Sequence, residues 1–574
     1  MQLKKFISIL TIGVLALSLK AVPARRVPFE VTQPDGSRLT LSIVGDEWFH
    51  YLALADGTAV ALDSATGFYK PVMADALAEK MRLANVRRAS TEERRTRRMN
   101  VVRRVAAKAS ATDEEDSSIG RRRLYEGEKR GLVILVNFSD KKFVSTREEV
   151  DSMFNQKGYS AHNSIGSVRD YFNDQSYGRF TINFDVVGPF ELENGYAYYG
   201  KNDKDDNDFR AHLMVAEALK AADDAVDFTQ YVWNDNGAVD QVYVLYAGYG
   251  ENAAYNDPNT VWPHEFSLSE AYLWFHTGEP EYSFDGVKVD TYACSCELAG
   301  ASGSRVSGIG TACHEFSHCL GFPDTYCTND EDVPDMMDWD LMSGGSYNGP
   351  NFNGEVPAGM TAYERWLCGW LDWNELTEEQ DVRQMPCLGD EPQAYLWRND
   401  GDASEAYILE NRQNTRWFTY PYLAHGLLIY HLDYDEDSFD NNEVNVIPSH
   451  PGMSIVYANG VGGSTTTKYR EHLWPGKSLN ASFTATTTPQ AFWYNDDADG
   501  DSIPIMGITD IGEGDGYISF RFCEIVADGI STTTLANDTT TPHGAILTLD
   551  GRRATPSDKG VVLMNGRKVI GREN

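Results

Sequence analysis

The first half of this 574-residue chain contains no cysteine. All eight cysteines follow residue 290, so no disulfide and no thiolate metal ligand can form within the N-terminal part. Their even number would allow disulfides in the C-terminal half of an exported protein. Cys313 and Cys319 are too far apart on a predicted helix to bridge each other, and the pairing of the eight stays open.

Positive charge is scarce after residue 130. Residues 131–574 contain 27 Lys and Arg against 69 Asp and Glu, whereas residues 1–130 contain 23 against 16. The acidic part would repel nucleic acid, which we therefore exclude as a partner. Hydrophobic residues make up 42% of the chain, which excludes a disordered protein.

Long apolar runs are missing except at the N-terminus. Residues 6–19 are apolar and follow Lys4 and Lys5, with small residues up to Ala24 behind them. This order is typical of a signal peptide cleaved after Ala24, and the run is too short to span a bilayer comfortably. We therefore expect a secreted or cell-surface protein.

The rest of the chain predicts a multidomain fold of the α+β or α/β class. A basic triplet, Arg121 to Arg123, ends a polar linker just before an apolar strand at 131–137, which indicates a removable prosegment. The predicted segments are a signal peptide (1–24), a β-rich prosegment (25–123), a mixed α/β domain (124–372), a β-rich C-terminal domain (373–525) and a linker with a tail (526–574).

The segment that carries the chemistry reads His-Glu-x-x-His. On a helix, His314 and His318 share one face and can present two imidazoles to one metal ion. Glu315 then lies beside a metal-bound water without having to be a ligand. Two surface histidines on a helix are the structural alternative.

The residues after this helix supply a third ligand. Gly321 can adopt the left-handed conformation that ends a helix, and Pro323 stiffens the return of the chain. Asp324 can then reach the metal. Two histidines and one carboxylate leave a fourth position for water, as a catalytic zinc requires.

The extended motif, His-Glu-x-x-His-x-x-Gly-x-x-Asp, resembles the immune inhibitor A family of secreted bacterial metallopeptidases. The resemblance covers roughly residues 131–525. Met342 follows in a segment suited to a tight turn, similar to the methionine floor under the metal of metzincin-type peptidases. Further segments similar to the family are 171–178, 247–251, 262–265, 362–370, 410–413 and 427–433.

The resemblance implies a zinc endopeptidase with a metzincin-like catalytic domain and protein or peptide substrates. Carried over by position, His314, His318 and Asp324 are zinc ligands, and Glu315 is the catalytic acid and base. Tyr347 and His264 are candidates for stabilising the transition state, although either could be structural. Residues 287–297 are a candidate edge strand that receives the substrate by backbone pairing.

Three further features stay open. Latency could use a prosegment carboxylate or imidazole on the metal (Asp35, Asp46, Asp56 or His50) or steric blockage alone. Acidic clusters at 433–440 and 497–501 suggest structural calcium or solvated loops; the second does not fit an EF-hand. Residues 549–569 resemble an outer-membrane sorting signal or form a small β-hairpin, so peripheral membrane or cell-surface association is conceivable. The oligomeric state is open.

Two rival functions remain. In a zinc aminopeptidase-like hydrolase, the third ligand would be a glutamate on a later helix, and Glu364 is the candidate. An inactive exported adhesion or binding protein would keep the fold without the chemistry, but both histidines and Glu315 are intact.

The third ligand can be tested by substitution. Asp324→Ala should abolish stoichiometric zinc binding, because two imidazoles alone hold the ion weakly. Glu364→Ala should keep zinc in the folded protein. Zinc content measured by elemental analysis after gel filtration decides between them; the reverse pattern would favour the aminopeptidase-like reading.

Overall fold

The structure is a computed structural model that describes residues 20–25, 27–47, 49–82, 84, 118–202, 208–233, 237–253, 257–329, 333–421, 423–498 and 500–525, and three short strands beyond residue 545. The apolar run at 6–19 and most of the predicted linker lie outside the described residues. The chain divides into two compact units, 1–525 and 526–574. The mixed α/β class is confirmed, whereas the boundaries within the first unit stay predictions.

The strands of the first unit are β1 (Lys20–Ala21), β2 (Phe29–Thr32), β3 (Arg38–Gly45), β4 (His50–Leu54), β5 (Ala59–Leu62), β6 (Tyr69–Pro71), β7 (Gly127–Asn137), β8 (Phe180–Glu191), β9 (Val242–Tyr249), β10 (His264–Ser267), β11 (Tyr282–Phe284), β12 (Val287–Val289), β13 (Thr291–Leu298), β14 (Asn374–Glu375), β15 (Gln380–Met385), β16 (Tyr395–Arg398), β17 (Glu405–Arg412), β18 (Gly426–Asp433), β19 (Met453–Ile455), β20 (Met506–Gly514) and β21 (Tyr517–Glu524).

Its α-helices are α1 (Arg147–Asn155), α2 (Val168–Gln175), α3 (Tyr196–Tyr199), α4 (Ala211–Ala222), α5 (Leu268–Phe275), α6 (Gly310–Cys319), α7 (Ala362–Leu367), α8 (Glu436–Asp440) and α9 (Thr466–His472). Helices α1 and α2 begin with complete capping boxes, at Thr146 with Glu149 and at Ser167 with Asp170. Both motifs satisfy backbone N–H groups that a helix start leaves free.

A six-stranded sheet forms the centre of the first unit, in the order β1-β10-β13-β9-β7-β8. Strands β7, β8, β9 and β13 run parallel, while β10 is antiparallel to β13. Side chains of β7 alternate between two cores: Leu132 and Ile134 belong to one, Val133 and Leu135 to the other. Burial on both faces explains the nearly continuous apolar sequence of this strand.

The edge of this sheet differs from our sequence prediction. Strand β13 lies between β9 and β10, so residues 287–297 do not form an edge. Strand β10 lies beyond β13, and the short β1 forms the edge by pairing with β10 antiparallel, Lys20 opposite Glu265 and Ala21 opposite His264. The prediction failed because chain order alone does not reveal that β10 folds back outside β13.

The parts of the chain that precede β7 and follow β13 also form β-sheets. Strands β2 to β6 form a five-stranded antiparallel sheet. A second five-stranded sheet has the order β14-β16-β17-β18-β19, and β15, β21 and β20 form a third. The predicted linker is not exposed at its end, because Ile119 is fully buried and its carbonyl accepts a hydrogen bond from Tyr363.

The eight cysteines are all free thiols, so the expected disulfides are wrong. Of the six near the metal motif, Cys294, Cys313 and Cys368 are completely buried or nearly so, whereas Cys319 and Cys327 are only partly buried. Burial raises the pKa of Cys313 well above its ordinary value, and that of Cys296 to about 11. These thiols behave as small apolar side chains.

The second unit contains three antiparallel strands, β22 (Ile546–Thr548), β23 (Val561–Met564) and β24 (Arg567–Ile570). This extends the predicted hairpin by one strand; the sorting role stays a prediction. Among the described residues, no helix combines the length and apolar character needed to cross a membrane.

Helix α6 starts where two backbone segments touch. It has no side-chain cap; instead the Gly310 N–H donates to Gly354 O at 2.9 Å, and Gly308 N–H to Asn353 O at 2.9 Å. A Cβ on Gly310 would overlap the Ser346 carbonyl oxygen.

We therefore expect Gly310→Ala to lower the free energy of unfolding by about 1–3 kcal/mol, because backbone must move to relieve the overlap. Gly514→Ala is the matched control, since a Cβ there meets open space. Urea unfolding of both variants measures the difference; equal midpoints would contradict the close approach.

Candidate active site

Helix α6 presents its polar face inward. His314, Glu315 and His318 are completely buried, which is unusual for such residues unless they are paired or bind a metal. The opposite face of the helix carries Cys313 and Phe316 into the core behind it. Apolar packing of one face thus fixes where the polar face points.

Backbone carbonyls orient both imidazoles. His314 Nδ1 lies 2.8 Å from Leu341 O, and His318 Nδ1 lies 2.8 Å from Phe322 O. A carbonyl only accepts, so each Nδ1 carries the proton and each Nε2 presents a lone pair. The two Nε2 atoms are 3.1 Å apart.

The turn after α6 returns Asp324 to the same point, as the sequence predicts. Gly321 has a left-handed backbone with φ of 97°, and its N–H donates to His318 O at 2.8 Å. Asp324 Oδ1 lies 3.2 Å from His314 Nε2 and 3.4 Å from His318 Nε2. Asp324 is completely buried.

Three acceptor atoms therefore meet without a proton between them. Asp324 Oδ1 accepts no hydrogen bond within the described part of the chain. Two imidazole lone pairs and a carboxylate oxygen at 3.1 to 3.4 Å repel one another unless a cation lies among them. A tetrahedron with bonds of about 2.0–2.1 Å has edges of about 3.3 Å, so these residues fit zinc.

Among the described residues, potential metal-ligand atoms of His314, Glu315 and His318 form one cluster, in which they lie within 4.8 Å of one another. Asp324 Oδ1 lies 3.2 and 3.4 Å from the two Nε2 atoms, which keeps Asp324 as the candidate third ligand. Glu315 Oε1 accepts a hydrogen bond elsewhere, from Val22 N–H at 3.0 Å.

The environment of Glu315 favours its protonated form. Burial raises the pKa of Glu315 well above its ordinary value, and the charges of Asp324 and Glu265 raise it further, while the hydrogen bond from Val22 lowers it. A cation at the three acceptors would oppose this increase.

A peptide segment of the chain itself crosses the site beside Glu315. Val22 is completely buried, and its carbonyl accepts a hydrogen bond from Trp262 Nε1 at 2.9 Å. The next carbonyl, that of Pro23, accepts from the Tyr347 hydroxyl at 2.7 Å. Asn252 Nδ2 in turn donates to this hydroxyl at 2.7 Å.

The segment continues past the site and is anchored there. Arg25 Nε donates to Phe352 O at 2.7 Å and Arg25 Nη2 to Asn351 O at 2.9 Å. On the other side of Val22, strand β1 pairs with β10. The backbone of residues 20–25 therefore extends past Glu315 on both sides. We call the space that this segment occupies beside Glu315 the cleft.

Of the two predicted transition-state stabilisers, the structure brings one to the cleft. Tyr347 faces the segment, and burial raises the pKa of its hydroxyl, so this hydroxyl stays protonated and can donate. His264 is a core residue instead, because its ring nitrogens contact Trp262 O at 2.7 Å and the Tyr292 hydroxyl at 2.9 Å. Burial lowers the pKa of His264 to about 4.

Glu364 is not near the metal-binding triangle. Its Oε2 accepts from the Thr361 N–H at 2.7 Å and completes the capping box of α7. This capping role gives no support to the rival assignment of Glu364 as third ligand, which stays a prediction.

Met342 lies in the predicted tight turn. The carbonyl of Asp340 accepts from the N–H groups of Ser343 and Gly345, and Met342 is completely buried. Its neighbour Leu341 supplies the carbonyl that orients His314. The turn therefore also orients the imidazole of His314, through the backbone carbonyl of Leu341.

None of the four prosegment candidates for latency reaches the triangle. Asp35 and Asp56 accept from backbone N–H groups two residues on, at Ser37 and Thr58. Asp46 accepts from Phe49 N–H, and His50 Nε2 pairs with Glu251 at 3.3 Å. The segment at Val22 occupies the cleft in their place.

The described acidic loops give no support for calcium. Asp435 caps α8, and Asp433 contacts His450. Asp497 accepts from the Asp501 N–H at 2.9 Å, and Asp400 from Ala498 N–H. These carboxylates stabilise turns and a helix start.

Sequence reasoning missed several residues of the cleft. Val22 was assigned to a discarded signal peptide, and Asn252 gives no signal in a single sequence. Trp262 belongs to one of the segments similar to the peptidase family, which could have drawn attention to it. Asn442, which contacts Asp324, stands in the C-terminal β-rich part, where no motif marks it.

Comparison with known proteins agrees with this geometry. Residues 124–371 match the family model described as immune inhibitor A peptidase M6, catalytic domain. Pre-pro-metalloprotease PrtV of Vibrio cholerae serotype O1 is 26% identical over 242 residues, which cover 38% of this chain and 25% of the relative. Immune inhibitor A of Bacillus thuringiensis subsp. alesti is 22% identical over 273 residues, 41% of this chain and 39% of the relative.

The chain thus spans less than half the length of these curated relatives. The matched region contains α6, Asp324, Tyr347 and the whole metal-binding triangle. Residues 124–371 belong to the immune inhibitor A family of metallopeptidase catalytic domains.

Proposed function

We propose that this protein is the zymogen of an exported zinc endopeptidase that cleaves peptide bonds in proteins. The observation that carries the proposal is the buried triangle of His314 Nε2, His318 Nε2 and Asp324 Oδ1, with Glu315 beside it. The name of one relative, a pre-pro-metalloprotease, supports both the peptidase and its precursor form.

In this proposal His314, His318 and Asp324 hold the zinc. A zinc ion bound there would supply a water of lowered pKa and would polarise the scissile carbonyl. Glu315 would accept a proton from the attacking water and deliver it to the leaving nitrogen. The hydrogen bond between Glu315 and a backbone N–H in the cleft supports the second role.

Substrate binding follows from the segment that lies in the cleft. Strand β10 pairs with a peptide on one side of Glu315, and Trp262 and Tyr347 bind the two carbonyls on the other side. The Tyr347 hydroxyl is the candidate for stabilising the developing negative charge. Met342 forms the floor of the site.

A chain that passes through the cleft in both directions favours an endopeptidase. An aminopeptidase would need a closed end that binds a free amino group. The intact Glu315 also argues against an inactive adhesion protein. The metzincin-like classification rests on the antiparallel strand β10 and on the Met342 turn.

The same segment provides a physical basis for latency. Val22 to Arg25 must be retained for the cleft to be blocked, so we place the export cleavage before Val22 rather than after Ala24. Removal of residues 25–123 together with this segment would open the site. Secretion or cell-surface display would expose the enzyme to its substrates, and the tail strands β22 to β24 are a candidate sorting element.

Glu315→Gln should retain one zinc per chain and lose cleavage by about 10²–10⁴-fold in kcat, because an amide cannot accept the proton. Casein digestion and elemental analysis measure the two properties. Glu149→Gln is the control, because it is the same substitution at an exposed position, in the capping box of helix α1. Retained cleavage in Glu315→Gln would refute the proposal.

Arg25→Ala should raise the activity of the unprocessed chain, because two hydrogen bonds that anchor the blocking segment are lost. Peptide hydrolysis by the intact precursor is the measurement, with chain length checked by mass spectrometry. Arg38→Ala provides the control, as Arg38 forms only an exposed ion pair with Glu30 in the same part of the chain. A precursor that stays as silent as wild type argues against this segment as the block.

A further inference from the structure

The third metal-binding carboxylate is held by a residue far away in the sequence. Asn442 Nδ2 donates to Asp324 Oδ2 at 2.6 Å, and Asn442 Oδ1 accepts from the Asp324 N–H at 2.5 Å. The amide thus grips both the side chain and the backbone of Asp324. We propose that Asn442 is a positioning residue for the metal site; this inference rests on the proposed function.

The contact gives the two oxygens of Asp324 separate tasks. Oδ2 accepts the hydrogen bond of the amide, whereas Oδ1 faces the two imidazoles. A buried carboxylate without such a donor would pay the desolvation cost of both oxygens. It could also rotate and turn either oxygen toward the metal. Hydrogen bonds to ligand side chains fix their orientation and raise metal affinity.

The backbone at Asn442 is suited to this task. Its φ is 59°, in the left-handed region that asparagine tolerates better than most residues. It follows the end of α8, and its carbonyl accepts from Thr328 Oγ1 at 3.1 Å. The side chain is therefore aimed from a fixed turn rather than from a mobile loop.

Neighbouring residues fasten the same two loops together. Asn445 Nδ2 donates to Thr325 O at 2.8 Å and to Met453 O at 2.7 Å. Asn329 Nδ2 donates to Val446 O at 2.8 Å. All three of these bonds end on backbone carbonyls, whereas Asn442 donates to the side chain of Asp324.

The catalytic unit consequently extends beyond the family match. That match ends at residue 371, yet Asn442 lies some 70 residues later, between α8 and β19. The β-rich part is then required for a correctly formed metal site. It is not an appendage that could be removed without loss of zinc affinity.

The test measures zinc affinity of the full-length chain, in a Glu315→Gln background that prevents self-digestion. Asn442→Gly removes the amide and keeps the left-handed turn free of strain. Asn442→Asp keeps the size of the side chain and replaces the donor by a second carboxylate. Asn329→Ala is the matched control, because it removes a hydrogen bond between the same loops without touching Asp324. Competition with a chromogenic chelator gives the dissociation constant, and thermal melting of the metal-free proteins reports the fold.

We expect zinc to bind about 10–100-fold more weakly to Asn442→Gly, and at least as weakly to Asn442→Asp, while Asn329→Ala stays within about twofold of the parent. Unchanged zinc affinity in either folded Asn442 variant would overturn the assignment. So would an equal loss in Asn329→Ala, because the effect would then belong to the loops in general. A Glu315→Gln parent that binds no zinc would instead refute the proposed function.

Discussion

The convergence of three lone-pair acceptors at one buried point is the constraint on which the site depends. Such an arrangement is unfavourable by itself, so it persists only because each acceptor is fixed from behind. Leu341 O and Phe322 O fix the two imidazoles, and Asn442 fixes the carboxylate. The packing of helix α6, the Met342 turn and the C-terminal β-rich part together keep these three hydrogen bonds in place. Removing any one of them would leave a ligand free to turn away from the metal.

The proximity of the three proposed metal ligands could be predicted from the sequence because they are close together in the chain. His314, His318 and Asp324 lie within eleven consecutive residues, so helix periodicity and one glycine turn determine their geometry. Contacts between distant segments could not be predicted in this way. The pairing of β1 with β10 and the bond from Asn442 to Asp324 join residues more than a hundred positions apart. The even number of cysteines allowed disulfides, but all eight are free thiols in the structure.

The segment from Lys20 to Arg25 connects latency with substrate recognition. It pairs with β10, passes Glu315 and is bound by Trp262 and Tyr347. A protein substrate would meet the same donors and acceptors, since they recognise backbone rather than side chains. In the proposed function, the same backbone contacts would block the precursor and would bind the backbone of a protein substrate. The buried His264 and the helix-capping Glu364 take no part in it.

The central claim is that zinc binds to two imidazoles and one carboxylate although free cysteines lie on the same helix. X-ray absorption at the zinc edge of the purified full-length protein tests this most directly. We expect nitrogen and oxygen neighbours only, at about 2.0–2.1 Å, with the scattering pattern of two imidazoles. A sulfur neighbour at about 2.3 Å would contradict it.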